Sequence, residues 1–491
     1  MAASEGATST IRFLFNNDVV SLENLNPNLT VLQYLREHQF ATGTKEGCAS
    51  GDCGACTVVV AELSSENSKQ LSYKSLNSCI TFVGSLHGKQ LITVEHLKEG
   101  AKLHHVQQSL VDNHGSQCGF CTPGFVMSSF ALHKKTSTPS RAQVIESLAG
   151  NLCRCTGYRS IIDAAMACSD KADEDSFAHL YQQTVVQLTE FSLLPQATLS
   201  NVDNHYFAPK NIYALADKLL ATPSAVLVAG GTDLALSVTQ NLATIKHLVY
   251  TGDVVELNNI EETADEVIIG SAVPYSKFTP ILAAQYNELG EMIERIGSLQ
   301  VRNNGTLGGN IGNASPIGDM PPALIALGAQ ITLQCGRQER KIAVEDYFTG
   351  YKQTVLAPAE FIKHIYIPKA KANQHLKLYK ISKRIDDDIS AVLAAIFIEL
   401  ENSQVITLRI AFGGMAAIPM RAKQCEAALR GKPFTDDNII AAQHALSLDF
   451  KPMSDVRASD SYRMKVAQNL IKKCQLELQN MPIETRVINY A

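Results

Sequence analysis

The sequence predicts a multidomain α+β protein. Its hydrophobic pattern changes period several times along 491 residues, and nine of its twelve cysteines fall before residue 170. Length alone allows about three to four domains. The composition, 45% hydrophobic and 19% charged, is that of an ordinary globular chain. A net charge of −5 argues against a nucleic-acid partner and for a soluble protein. No apolar run approaches the roughly 20 residues of a membrane span; the longest, Ala391 to Leu400, reads as a buried strand. Met1 to Thr10 is polar and lacks the basic and apolar regions of a secretory signal. The expectation is a cytoplasmic protein with no membrane and no nucleic-acid partner.

Residues 9–95 alternate short apolar strands with turns. Thr10 to Phe15 reads as a strand, Asn16-Asn17-Asp18 as a hairpin turn, and Val19 to Leu22 as its return. Leu29 to His38 has helical spacing, and Thr57–Leu63 and Gln90–Val94 read as strands. Residues 96–168 predict four helices, at Lys102–Asn113, Pro123–Lys134, Arg141–Ala149 and Ile161–Cys168. Residues 169–203 are polar with little periodicity and read as a linker, with Lys171 to Asp175 as a solvated charge run. Residues 204–376 are mixed α+β with two glycine-rich stretches. Residues 377–491 form a further α+β domain: strands at Ser390–Leu400 and Val405–Gly413, then helices at Arg421–Leu429, Asp437–Leu446 and Ser459–Gln479.

Glu46-Gly-Cys48-Ala-Ser-Gly-Asp-Cys53-Gly-Ala-Cys56, followed by Cys79, has the C-x4-C-x2-C spacing of a plant-type [2Fe–2S] loop. Three thiolates converge on a small inorganic core from one loop, and Gly47, Gly51 and Gly54 permit the positive φ angles of such a wrap. A zinc site or a redox loop is the alternative, but zinc sites usually pair their ligands as two short hooks. A second set is Cys118 and Cys121, in Gln117-Cys-Gly-Phe-Cys-Thr-Pro-Gly124, with Cys153 and Cys155, in Asn151-Leu-Cys-Arg-Cys-Thr-Gly157. Pro123 and Gly124 suit a helix start, whose dipole favours thiolates. A zinc ribbon is the alternative here. Cys168, Cys335, Cys425 and Cys474 read as small buried hydrophobes, and the histidines, His104-His105 included, as surface or helix-packing residues.

Val226-Leu-Val-Ala-Gly-Gly-Thr-Asp-Leu-Ala-Leu236 reads as strand, glycine turn and helix, and the turn's successive N–H groups suit a pyrophosphate. It lacks the G-x-G-x-x-G spacing of a Rossmann fingerprint. Arg302-Asn-Asn-Gly-Thr-Leu-Gly-Gly-Asn-Ile-Gly312 is the second stretch and runs into Ser315-Pro-Ile-Gly-Asp319. No H-E-x-x-H or G-x-S-x-G motif supports zinc or serine hydrolysis.

Cys48 to Cys79, then Cys118–Cys121 and Cys153–Cys155, resemble the iron–sulfur half of the molybdenum hydroxylases. Ser116 to Gly124 and Cys153-Arg-Cys155 are highly specific within that family. The resemblance covers essentially the whole chain and implies a ferredoxin-like β-grasp domain (9–95), a four-helix [2Fe–2S] domain (96–168), an α+β FAD-binding domain (204–376) and a C-terminal flavoprotein domain (377–491). It implies two [2Fe–2S] clusters, one on Cys48, Cys53, Cys56 and Cys79 and the other on Cys118, Cys121, Cys153 and Cys155. Gln117 and Cys155 would lie nearest a molybdopterin held by a large partner chain. FAD would be held through Leu227, Val228, Ala229, Gly230, Gly231, Thr232, Asp233, Leu234, Thr306, Gly308, Gly309, Asn310, Asp319, Ile362 and Lys380. Ile296 stands where an aromatic residue can face the flavin in the family, so an aliphatic contact serves there. Tyr351, Arg384, Asp387 and Asp388 would face NAD; Ile385 replaces the second arginine of the family's pair.

The resemblance further implies an NAD-dependent oxidoreductase subunit. Electrons would pass from the partner's molybdenum centre, through the helical-domain cluster and then the ferredoxin-like cluster, to FAD and on to NAD⁺. Hypoxanthine or xanthine would be oxidised to urate on the partner, in an assembly of two small and two large subunits. No catalytic residue is assigned to this chain. The alternatives are the equivalent subunit of an aldehyde or N-heterocycle hydroxylase, a stand-alone flavoprotein oxidase, and an iron–sulfur redox sensor.

Overall fold

The computed structural model describes residues 10–64, 67, 69–168, 175–479 and 484–486. The chain divides into two compact units, residues 1–255 with 297–305, and residues 256–296 with 306–491.

In the first unit, β1 (Ile11–Phe15) and β2 (Asp18–Leu22) form the expected hairpin. Thr30 caps α1 (Val31–Gln33), which continues as one π-helical stretch, Tyr34–His38. β3 (Thr57–Leu63), β4 (Leu71–Asn77) and β5 (Gln90–Ile92) complete a sheet of order β2-β1-β5-β3-β4, with β1 and β5 parallel. Side chains alternate across a strand. On β3, Val58 and Val60 join a core with Ile11, Phe13 and Leu91, while Val59 and Ala61 join the core of the helices that follow. A strand stretch buried on both faces is apolar on both, which is how Val58–Ala61 reads.

Those helices are α2 (His105–Asp112), α3 (Thr122–Lys135), α4 (Arg141–Leu148) and α5 (Arg159–Ala167). Residues expected to be a linker carry α6 (Ser176–His179) and α7 (Tyr181–Ser192), with Phe177, Leu188 and Phe191 buried. Lys171 to Glu174 of the expected charge run lie outside the described residues. Asp175 is buried rather than solvated, because His104 and Lys134 both bond its carboxylate. The unit ends with a second sheet, β6 (Ala197–Ser200), β7 (His205–Ala208), β8 (Val226–Val228) and β9 (His247–Tyr250), in the order β6-β7-β9-β8. Helices α8 (Ile212–Ala221) and α9 (Leu234–Thr239) lie on its connections. Leu199, Tyr206, Leu248 and Tyr250 of this sheet share the core of β1 and β3.

The second unit contains β10 (Ile260–Glu262), β11 (Glu266–Gly270), α10 (Tyr275–Gln285) and α11 (Asn287–Glu294). The chain then gives α12 (Leu299–Arg302) to the first unit. It continues through α13 (Leu307–Gly312), the fully buried α14 (Met320–Leu327), β12 (Gln330–Cys335), β13 (Gln338–Ala343), the small hairpin of β14 (Phe348–Gly350) and β15 (Gln353–Thr354), and β16 (Glu360–Pro368). One antiparallel sheet runs β10-β11-β16-β12-β13. A second, β17-β18-β19-β20, is built from β17 (Gln374–Ile381), β18 (Val392–Glu401), β19 (Gln404–Gly413) and β20 (Met420–Arg421). α15 (Lys423–Leu429), α16 (Asp436–Asp449) and α17 (Asp460–Leu478) follow. β18 also serves two cores: Leu393, Ala395 and Phe397 enter one, and Val392, Ala394, Ile396 and Ile398 the other. Among the described residues no helix is long and apolar enough to cross a membrane.

Candidate metal centres and nucleotide-binding turns

The β3–β4 ladder pairs Thr57 with Asn77. Cys56 lies just before the first and Cys79 two residues after the second, so strand register alone brings these thiols together. Their sulfurs are 3.3 Å apart, and the Ser78 hydroxyl and N–H both donate to the Cys56 carbonyl. Cys48 and Cys53 come from the loop before β3. Gly51 and Gly54 there have the expected positive φ. Gly47 does not; it is needed for space, since a Cβ would stand 2.8 Å from the Cys53 sulfur. The Ser50 N–H points at Cys48 Sγ, 3.4 Å away. The free thiols polarise one another. Cys53 holds Cys48 below the ordinary thiol range, and Cys79 does the same to Cys56. Cys53 and Cys79 are pushed up in turn.

The second set meets around the start of α3, where Cys121 is the residue before the first helical turn and Pro123 lies within it. Cys153 and Cys155 are 3.8 Å apart, and Cys155 and Cys118 3.6 Å. Burial raises the Cys153 thiol, but the Thr156 hydroxyl and the N–H groups of Cys155 and Thr156 outweigh it and bring it to about 6. Cys121 is pushed up to about 12 by burial and by Cys153. Cys118 and Cys155 are exposed, while Cys121 and Cys153 are buried.

A tetrahedral metal with sulfur ligands at about 2.3 Å holds two thiolates about 3.8 Å apart. The separations of Cys56 from Cys79 and of Cys155 from Cys153 and Cys118 lie near that value and far exceed a disulfide bond of about 2.05 Å. Among the described residues no group of three or more His, Cys, Asp or Glu side chains is placed to hold a single metal ion. Four thiols in each set match the four-cysteine ligation of a [2Fe–2S] cluster. Of the other cysteines, Cys168, Cys425 and Cys474 are buried as expected; Cys335 is only half-buried, at the end of β12.

The two cysteine loops touch. The Leu152 N–H donates to the Cys53 carbonyl at 3.0 Å, and Asn151 Nδ2 to the Gly54 carbonyl at 3.0 Å. Asn151 Oδ1 accepts from Ser128 and from Gln300. Asn151 stands at the start of the second cysteine motif without an assigned role, and Gln300 carries no sequence signal at all. Their partners lie up to 243 residues away, and no local spacing signals them.

Residues expected at FAD divide between the two units. In the first, Leu227 and Val228 end β8, Ala229 to Asp233 form the turn, and Leu234 opens α9. Gly231 has φ +74°, and a Cβ on Gly230 would lie 1.8 Å from the Asn304 carbonyl oxygen. Asn304 Nδ2 donates to the Gly230 carbonyl at 2.6 Å, so the turn is braced by the second glycine-rich stretch. In the second unit, the Thr306 hydroxyl caps α13 through the Gly309 N–H, and Gly308 packs on Ser271 so closely that a Cβ would meet its carbonyl at 2.5 Å. Asn310 has a buried Oδ1 with no partner among the described residues, an acceptor that suits a ligand donor. Asp319 and Lys380 form a buried ion pair at 2.7 Å, joined by Ser390 on the carboxylate and by the Arg295 carbonyl on the ammonium. Ile362 is buried on β16, and Ile296 packs half-buried against the same core. Tyr351 sits exposed in the β14–β15 turn. Arg384, Asp387 and Asp388 lie in the β17–β18 connection, where Arg384 bonds Asp388 through its N–H and guanidinium.

Residues 16–84 match the 2Fe-2S iron-sulfur cluster binding domain and 93–166 the [2Fe-2S] binding domain. Residues 200–370 match the FAD binding domain in molybdopterin dehydrogenase, and 377–478 the CO dehydrogenase flavoprotein C-terminal domain. Xanthine dehydrogenase of Emericella nidulans is 32% identical over 90% of this chain and 36% of its own length. The Drosophila subobscura enzyme is 30% identical over 99% and 40%. The chain thus spans little more than a third of the length of these relatives. Among solved structures, a carbon monoxide dehydrogenase chain from Hydrogenophaga pseudoflava superposes with a TM-score of 0.52 at 29% identity, covering 55% of this chain and 94% of that one. In domain content and order, the chain belongs to the iron–sulfur and flavin-bearing part of the molybdenum hydroxylase family.

Proposed function

We propose that this chain is the electron-transfer subunit of a xanthine dehydrogenase. One observation supports this above the others: two sets of four thiols, with sulfurs 3.3 to 3.8 Å apart for Cys56–Cys79, Cys153–Cys155 and Cys155–Cys118, stand on loops joined by the bond between the Leu152 N–H and the Cys53 carbonyl. Cys48, Cys53, Cys56 and Cys79 ligate the flavin-side cluster; Cys118, Cys121, Cys153 and Cys155 ligate the partner-side cluster. When bound, the clusters carry electrons singly and FAD exchanges them in pairs with NAD⁺. The exposed Cys118 and Cys155 face a molybdopterin-binding partner chain, whose substrate is hypoxanthine or xanthine, in an assembly of two small and two large subunits. Each unit carries residues proposed for FAD: the Gly230–Gly231 turn, whose N–H groups suit the pyrophosphate, in the first, and Thr306 to Asn310, Asp319 and Lys380 in the second. The Asp319–Lys380 pair offers a fixed ammonium donor, and Tyr351 with Arg384, Asp387 and Asp388 meets the nicotinamide nucleotide.

The test is to purify the chain with its co-purifying partner and measure iron, FAD and molybdenum. Two distinct cluster signals by electron spin resonance, FAD, and molybdenum on the partner are expected; zinc in place of iron sinks the reading. Cys153→Ser leaves NADH-to-dye reduction intact and stops xanthine-to-NAD⁺ turnover. If that variant loses the dye reaction alone, the electron order is wrong. Turnover of aldehydes but not purines would move the chain to the aldehyde-oxidising branch.

A further inference from the structure

α9 joins two things that local sequence does not connect. Its N-terminal side grows out of the Gly230–Gly231 turn, where the Ala235 N–H bonds the Gly231 carbonyl and a Cβ on Gly231 would stand 3.2 Å from the Ile80 carbonyl oxygen, one residue past Cys79. At its other end the Thr239 hydroxyl donates to the Ala49 carbonyl at 2.8 Å. Gln240 Nε2 donates to the carbonyls of Cys48 and Ala49, at 3.1 and 3.0 Å. A helix of six residues is about 9 Å long, so this one element reaches both chain segments that carry the first cysteine set.

The turn it holds is a demanding one. Ala49 has φ +53°, in the left-handed region that a residue with a Cβ avoids. That conformation turns the Cys48 and Ala49 carbonyls toward α9 and leaves the Ser50 N–H facing the Cys48 sulfur. Three donor contacts from Thr239 and Gln240 hold the carbonyls in place. N–H groups aimed at ligand sulfurs favour the more negative, reduced cluster and so raise its potential.

We infer that Thr239 and Gln240 are positioning residues for the flavin-side cluster: they fix the Cys48–Ala49 turn, keep the Ser50 N–H on the Cys48 sulfur, and tie cluster potential to the seating of the glycine turn at the far end of α9. The inference rests on the assignment of Cys48, Cys53, Cys56 and Cys79 to that cluster.

Redox titration of the full chain with its partner, followed by electron spin resonance, tests it. Thr239→Val with Gln240→Leu lowers the midpoint of the flavin-side cluster and changes its signal, while the partner-side signal stays where it was. Thr239→Ser, which keeps the hydroxyl, behaves as the unsubstituted protein. Should the double variant fold poorly, Gln240→Leu alone gives a smaller shift of the same sign. An unmoved flavin-side midpoint in a variant that retains its iron overturns the inference, as does an equal shift of both clusters. If the unsubstituted protein shows no iron signal, the cluster assignment itself has failed, and the two failures are told apart by that control.

Discussion

Gly54 is the residue on which both cysteine loops depend. Its φ is +67°, which costs an L-residue about 1–2 kcal/mol, and a Cβ there would stand 2.3 Å from the Gly150 carbonyl oxygen. That neighbour is backbone in the opposite loop and cannot turn aside. Gly88 separates the two effects: its φ is +78°, yet a Cβ would meet nothing within 4 Å. Gly88→Ala should lower stability by only about 1–2 kcal/mol. Gly54→Ala should lose that and an overpacking cost of about 1–3 kcal/mol besides, and its iron content should fall. Urea midpoints and iron assays on the same preparations check both.

A second residue sets an acid limit. Burial, then Lys210, Lys89 and Arg12, bring His87 down from 6.5 to about 4, while its Nδ1 accepts the Arg12 N–H at 3.1 Å. The unfolded chain takes up this proton near pH 6.5 and the native protein refuses it until about pH 4. Stability therefore falls as pH drops through that window and is fully present above it. His105, also brought to about 4 by burial and His104, adds to the fall. The melting temperature should drop between pH 7.5 and 5, and His87→Asn, which keeps an acceptor near Nδ1, should shrink that drop.

At the scale of elements, Asp175 acts on three helices. Its side chain accepts from the Ala178 N–H at the start of α6, from His104 at the start of α2, and from Lys134 near the end of α3. Burial raises its carboxyl, but His104 and Lys134 outweigh that and hold it at about 2. This contribution is present above pH 3.8 and lost as pH falls through about 2. Asp175→Ala removes a cap worth about 1 kcal/mol and takes away the carboxylate that answers the buried Lys134, for a total loss of about 3 kcal/mol or more. Asp175→Asn keeps the cap and should fall between Ala and the unsubstituted protein in chemical denaturation. The same site shows what local sequence conceals. The acidic run looked solvated because its cation and imidazole lie 41 and 71 residues away. β4 went unread for a related reason: Leu71-Ser-Tyr-Lys-Ser-Leu-Asn alternates polar residues on a half-exposed edge strand. β3 and β18 were legible because central strands buried on both faces carry unbroken apolar runs, Val58–Ala61 and Val392–Ile398.

At the scale of the molecule, sequence order and compact unit part company. Four successive patterns suggested domains in tandem, and the two cysteine sets were legible from the short C-x4-C-x2-C, C-x2-C and C-x-C spacings within them. The grouping was not legible. The sheet of β6 to β9 shares a core with β1 and β3, and Gly297–Gly305 belongs to the first unit while the chain on either side belongs to the second. Such placement rests on contacts of long sequence separation, which leave no periodic mark. Gln300 carries much of it. Its Nε2 reaches Asn151 Oδ1 at 3.0 Å, Ser128 Oγ at 3.1 Å and Thr57 Oγ1 at 3.4 Å, and a Cβ on Gly150 would meet Ser298 at 2.3 Å. Gln300 is 1% exposed, as are Ser128 and Thr57. Gln300→Leu keeps the volume but removes the donor to Ser128 Oγ and one of the two donors to Asn151 Oδ1 and to Thr57 Oγ1, at about 0.5–1.5 kcal/mol. Gln300 and Asn151 share one network, so Gln300→Leu with Asn151→Leu should cost less than the two single losses added, with a coupling of about 0.5–3 kcal/mol. A double-mutant cycle by urea denaturation measures it. Strict additivity would mean that the inserted segment is held by packing alone and that the polar hub contributes nothing of its own.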